Sequence, residues 1–292
     1  MPSRRLTFYE NRLNPRRDGY FPSPTPANHP ELLREAERRL WLRTEEIFEL
    51  LKVGRFGQLQ ELLSIYHAST DGVLRATIGT LLGDAATFDC FQQMREDLER
   101  VQTAAKETRR QDELYDYRDM ALDFCDAFSA WGLLDAVPVI VDHYLSLRIN
   151  KVTDIRSFPV LLSTMLEQEV SIISTEPPED GLDEYLGLIL HRHETLRSQY
   201  GGGDVLLFQG MQAGVKNYAN ILAHGMETAG HLKLELRRRF EASTGIDCHD
   251  MYSNGVFQPL AAARIAESFL NSPEAAKYQD GARYFFGHRI PD

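Results

Sequence analysis

From position 32 to 51 the apolar residues fall three or four places apart: Leu32, Leu33, Ala36, Leu40, Ile47, Leu50 and Leu51, with glutamates and arginines between them. That spacing is one face of an α-helix, and it recurs along most of the chain. It predicts helices over 30–52, 57–68, 71–82, 85–104, 112–130, 134–148, 154–169, 181–199, 204–224, 226–243 and 258–270. Breakers stand where helix ends are needed: Gly54, Gly83, Gly132, Pro177-Pro178, the glycines at 201–203 and Gly245. Strand signals are sparse. One candidate, VSIIS at 170–174, is short and has no evident partner. The fold class expected is all-α.

Residues 1–30 differ from the rest. They hold six of the thirteen prolines, including FPSPTP. Proline removes a backbone donor and disfavours helix in the residue before it. The reading is an extended, basic, Pro-rich tail over 1–30 and a single helical domain over 31–292. The tail carries five arginines (Arg4, Arg5, Arg12, Arg16, Arg17) against Glu10 and Asp18, a net +3. Since the whole chain is −11, the remainder is −14. Such a body repels phosphate backbones and favours encounter with a basic partner, so nucleic acid is excluded as the expected ligand. The longest apolar run, 136–141, is too short to span a membrane. Cys90, Cys125 and Cys248 are far apart and odd in number, without a CxxC pair. They read as thiols in a reducing, cytoplasmic setting, with Cys90 and Cys125 packed as small hydrophobes.

A weak repeat is present. VGRFGQLQELLSIY ends at Tyr66, twelve residues after Gly54, and WGLLDAVPVIVDHY ends at Tyr144, twelve after Gly132. Thr70-Asp71 and Thr153-Asp154 open the stretches that follow, and an Asp before a helix can cap its free N–H groups. An arginine one turn on, such as Arg75 or Arg118, could reach an aspartate of a neighbouring unit. The segment YRDMALDFCDAFSAWGLLDAVPVIVDHYL resembles a unit of the HEAT-like helical-hairpin repeats, over roughly 54–166. The resemblance implies an irregular solenoid in which each helix pair buries its apolar face on the next.

Motifs for chemistry are scarce. The chain has no GxxxxGK[ST], GxSxG or HExxH. The 201–203 glycines precede Asp204, which opposes a phosphate, so they read as a flexible connection. His191 and His193 would point some 200° apart on a helix. His224 with His231, and Cys248-His249-Asp250, fall short of the three or four converging ligands that zinc needs. Arg237-Arg238-Arg239 sits four residues from Glu241 and Glu235 and reads as helix-surface ion pairs. Neither a cofactor nor a metal is expected, and the chain is not read as an enzyme.

The charge is concentrated. Residues 157–191 contain no Lys or Arg and seven carboxylates: Glu167, Glu169, Glu176, Glu179, Asp180, Asp183 and Glu184. A fixed row of carboxylates is a receptor for lysines and arginines on a partner, and it accelerates association. These seven are the expected partner-binding residues. Further on, FEASTGIDC (240–248), FQPLAAARIAESFLNS and GARYFFGHRIP (281–291) resemble the C-terminal part of a helical immunity-protein family of bacterial polymorphic-toxin systems. That resemblance implies a protein that binds a cognate toxin domain and neutralises it, the acidic surface masking an active site or substrate groove of a basic toxin. The alternatives are a helical scaffold joining two other proteins, or an enzyme with an unfamiliar site. Independently of the resemblance, Tyr284, Phe285 and Phe286 should pin their segment into the last helical pair.

Overall fold

The structure, a computed structural model, describes residues 34–108, 110–153, 155–167, 173–174, 177, 180–224, 230–253 and 256–291, without the side chains of 230–232. Expectations that fall on 1–33, on 168–172 and on Asp154 lie outside these residues. The fold is all-α and built of helical hairpins: eleven α-helices and three two-stranded hairpins among the described residues. The chain folds as two compact units. One joins the residues up to Thr87 to those from Gly214 onward, and the other is the continuous stretch Phe88–Ala213.

The first unit begins with α1 (Glu35–Leu51), α2 (Leu59–Ala68) and α3 (Gly72–Ala85). Trp41, Ile47, Phe48 and Leu51 form the buried stripe of α1, which packs on α2 and α3. Asp71 caps α3 as its position suggests: Oδ1 accepts from the amide of Val73 at 2.9 Å, and Oδ2 accepts the Trp41 indole N–H at 2.8 Å. Among the described residues Arg75 pairs with no aspartate, and its buried Nε has no hydrogen-bond partner there. Arg118 pairs with adjacent Asp119.

The second unit holds α4 (Phe88–Glu107), α5 (Gln111–Trp131), α6 (Ala136–Ile149), α7 (Ser157–Leu166), α8 (Leu182–Tyr200) and the hairpin β1 (Leu207–Phe208) and β2 (Met211–Gln212). α5 is its centre, packing against α4, α6 and α7, while α7 carries α8. Phe91 of α4 meets Trp131 of α5 edge to face and lies tilted against Phe128. Gly132, at φ +79°, ends α5, and a β-carbon there would lie 2.3 Å from the Leu207 carbonyl oxygen. Both facts require glycine.

The expected helix over 204–224 is a β-hairpin followed by a shorter helix. Gln209 and Gly210 both have positive φ, the signature of a two-residue primed turn. This turn closes off α7. The amides of Gln209 and Gly210 donate to the carbonyls of Thr164 and Met165 at 2.8 Å, Gln209 Nε2 donates to Ser163 O at 3.0 Å, and Arg192 Nε donates to Leu166 O at 3.0 Å. Terminal carbonyls that a helix leaves unpaired are thereby satisfied. The 201–203 glycines are a packed turn, not a flexible connection. Asp135 N donates to Gly203 O, Leu134 N donates to Val205 O, and a β-carbon on Gly203 would overlap the Asp135 carboxylate.

The chain then returns to the first unit with α9 (Val215–His224), α10 (Gly230–Thr244), β3 (Tyr252–Ser253), β4 (Val256–Phe257), α11 (Pro259–Leu270), β5 (Tyr284–Phe285) and β6 (His288–Arg289). α9 packs on α10 and α11. The arginines 237–239 are not on the surface: all three are buried. Arg238, 1% exposed, donates to Asp84 of α3 at 2.8 Å and to Glu235 at 2.6 Å. The sequence spacing identified Glu235 and Glu241 as neighbours, but not Asp84, which lies 154 residues away. A guanidinium with two carboxylates keeps its charge satisfied out of water.

The aromatic hairpin β5–β6 is pinned more widely than the last helical pair. Phe285 is fully buried, and Phe48 of α1 meets the rings of Phe285 and Phe286 edge-on. The amides of Phe286 and Gly287 donate to Ala242 O and Ser243 O at the end of α10. Arg283 donates to the carbonyls of Gly83 and Ala86 at the end of α3. Cys90, Cys125 and Cys248 are buried, unbridged thiols. Burial pushes the thiols of Cys125 and Cys248 well up, so both stay protonated.

Candidate functional site

α8 carries the carboxylates that the cation-free run predicted. Its buried stripe is Tyr185, Leu186, Ile189, His193 and Leu196, which leaves the opposite face to solvent. Gly181, at φ +94°, turns the chain into the helix, and its carbonyl accepts the amide of Tyr185 at 3.0 Å. The Tyr185 hydroxyl donates to Ser174 O at 2.8 Å. Ser174 is thereby tied to α8.

The seven expected residues divide three ways. Asp180, Asp183 and Glu184 are exposed, on or just before the first turn of α8, and no cation pairs with them among the described residues. Glu167 is a correction. It is 4% exposed and follows the last turn of α7, where its carboxylate accepts the amide of Ile173. It holds the local chain path and is not part of an exposed surface. Glu169, Glu176 and Glu179 lie outside the described residues.

Carboxylates in a first helical turn face the positive end of the helix dipole. Asp183 and Glu184 therefore stabilise α8 while remaining accessible. The nearest basic side chains on the helix are committed or distant: Arg192 reaches back to Leu166 O, and Arg197 lies in the last turn. The geometry of Asp180, Asp183 and Glu184 offers solvated negative charge on a helix that is anchored by its buried stripe.

The same face has features that charge alone did not reveal. Leu188 and Leu190 are 46% and 41% exposed, Glu194 is exposed near the far end, and Gly187 sits among them. The signal was present as a surplus. Leu186, Leu188, Ile189 and Leu190 give α8 more apolar positions than one buried stripe needs. His191 is exposed and His193 is 3% exposed, on opposite faces as helical spacing requires.

Other polar clusters are internal. Tyr117 of α5 and His143 of α6 are buried, with the Tyr117 hydroxyl 2.8 Å from His143 Nδ1. Gln102 of α4 donates to Asp142 beside them at 3.2 Å. Burial holds the His143 imidazole below its ordinary pKa, and it pushes the Tyr117 phenol up. Both groups are neutral at pH 7. They satisfy each other inside the unit, as buried polar side chains must.

Among the described residues no group of three His, Cys, Asp or Glu converges on a metal position, and no helix is long and apolar enough to cross a membrane. No family model matches the chain, and neither a curated protein nor a solved structure matches it.

Proposed function

We propose that the chain is a non-catalytic binding protein of the immunity type, which takes a cationic toxin domain on the acidic face of α8. The observation that carries this reading is the set of three exposed carboxylates, Asp180, Asp183 and Glu184, which have no cationic partner among the described residues, at the start of a helix whose other side is anchored in the core. Unpaired charge on a rigid element is preorganised, so a partner's lysines and arginines find it without reordering. The net charge of −11 adds long-range attraction for the same class of partner. The resemblance of the segments at 240–248 and 281–291 to immunity proteins names the toxin as that partner.

The reading is tested by co-expression. The C-terminal domain of a secreted toxin encoded immediately upstream arrests growth when produced alone, and producing this chain with it restores growth. The purified pair then elutes as one stoichiometric complex. Arrest that persists at full expression of this chain, with no complex on the column, contradicts the proposal.

A further inference from the structure

Gly187 is the sixth residue of a nineteen-residue helix, an interior position where glycine weakens the helix relative to alanine. Inside a protein such a glycine usually makes room for a neighbour. Among the described residues a β-carbon here would meet nothing within 4 Å, so none of them requires glycine at this position. The residues around it form a pattern. Asp183, Gly187, Leu190 and Glu194 stand at i, i+4, i+7 and i+11, one stripe along an α-helix. All four are exposed, and Glu184 and Leu188 flank the stripe on the side away from Leu190. The stripe is thus acidic at both ends, with a glycine and an exposed leucine between them.

We propose that this face of α8 docks one α-helix of the partner, an amphipathic helix with an apolar centre and lysine or arginine on either side. The inference rests on the acidic-receptor reading above and adds the form of the cationic element. Without a side chain at position 187 the partner's backbone can come close, toward the short end of the roughly 8–10 Å range of helix separations. One apolar residue of the partner then covers Gly187 beside Leu190. Asp183 and Glu194 are eleven residues apart, about 16 Å along the axis. Their cations therefore sit about three turns apart on the partner, and nearer ones would serve only one end. Leu190 leaves water in the complex, which gives the contact an apolar component that salt does not screen.

The test uses the full chain and two synthetic peptides of about 20 residues. One is an amphipathic helix with an apolar stripe and arginines about eleven positions apart. The other has the same composition, scrambled so that it keeps the charge and loses the stripe. Wild type should bind the amphipathic peptide at least about tenfold tighter than the scrambled one. Gly187→Leu should erase that preference while keeping the helical circular dichroism and a melting temperature equal to or above that of wild type, since leucine favours helix more than glycine. Equal affinity of wild type and Gly187→Leu for the amphipathic peptide overturns the inference, as does a wild type that prefers neither peptide. The combined variant Asp180→Asn, Asp183→Asn, Glu184→Gln separates the two levels. If it weakens both peptides alike and Gly187→Leu has no effect, helix docking falls and the acidic receptor stands. If it weakens neither, both fall.

Discussion

A carboxylate removed from water needs donors, and Glu37 of α1 has three. The Ser69 hydroxyl, the Thr70 amide and the Thr70 hydroxyl each donate to it at 2.8 Å. Burial alone would push its pKa up, but the donors from Thr70 and Ser69 outweigh that and hold it below the ordinary carboxylate value. The folded state therefore prefers the ionised form. This stabilisation is fully present above the unfolded carboxylate pKa of about 4.3 and is lost as pH falls through the lower folded value. His143 acts in the same direction at higher pH. Its imidazole is held neutral by burial, so the unfolded chain takes up the proton first as pH falls below about 6.5. Denaturant titrations across pH should show stability falling from there into the acid range. Glu37→Gln should cost about 1–2 kcal/mol at pH 7 and flatten the lower limb of that curve. A variant with wild-type stability at pH 7 and an unchanged acid limb would show that Glu37 holds nothing.

Among the elements, helices were legible and hairpins were not. The 3.6-residue period was strong enough for α1, α5, α6, α8 and α11 to fall within a few residues of expectation, because each sets a continuous apolar stripe against a core. The 204–224 stretch misled because VLLFQGMQAG is apolar enough for either state. What decides is the Gln209-Gly210 turn, and its glutamine is an unusual residue for positive φ. Phe286-Gly287 repeats that choice in β5–β6. Both turns are held by helix ends that lie far away in sequence, which no local pattern can report. The candidate site divides the same way. Asp183 and Glu184 were legible from charge, whereas the burial of Glu167 depends on the amide of Ile173 and was not. The β5–β6 hairpin closes two helix ends and fills the space beside Phe48, so Phe285→Ala should cost about 3–5 kcal/mol. Thermal denaturation would measure it, and a loss below about 1 kcal/mol would mean the hairpin is peripheral to its unit.

For the whole molecule, charge and scaffold are separate matters. Two internal ions are closely matched, Arg238 between Asp84 and Glu235, and Glu37 by its donors. The uncompensated acidity accumulates outside, where it costs the fold little and reaches beyond the surface by about a Debye length. In the proposed function, this outer charge at the start of α8 is what captures a cationic protein. The sharpest check is the association rate of the purified toxin domain with wild type and with Asp180→Asn, Asp183→Asn, Glu184→Gln, by stopped flow at about 0.05 M and about 0.5 M salt. Capture by charge predicts a roughly tenfold slower association for the variant at low salt, with the two proteins converging at high salt. Identical rates and identical salt dependence for the two proteins would contradict it.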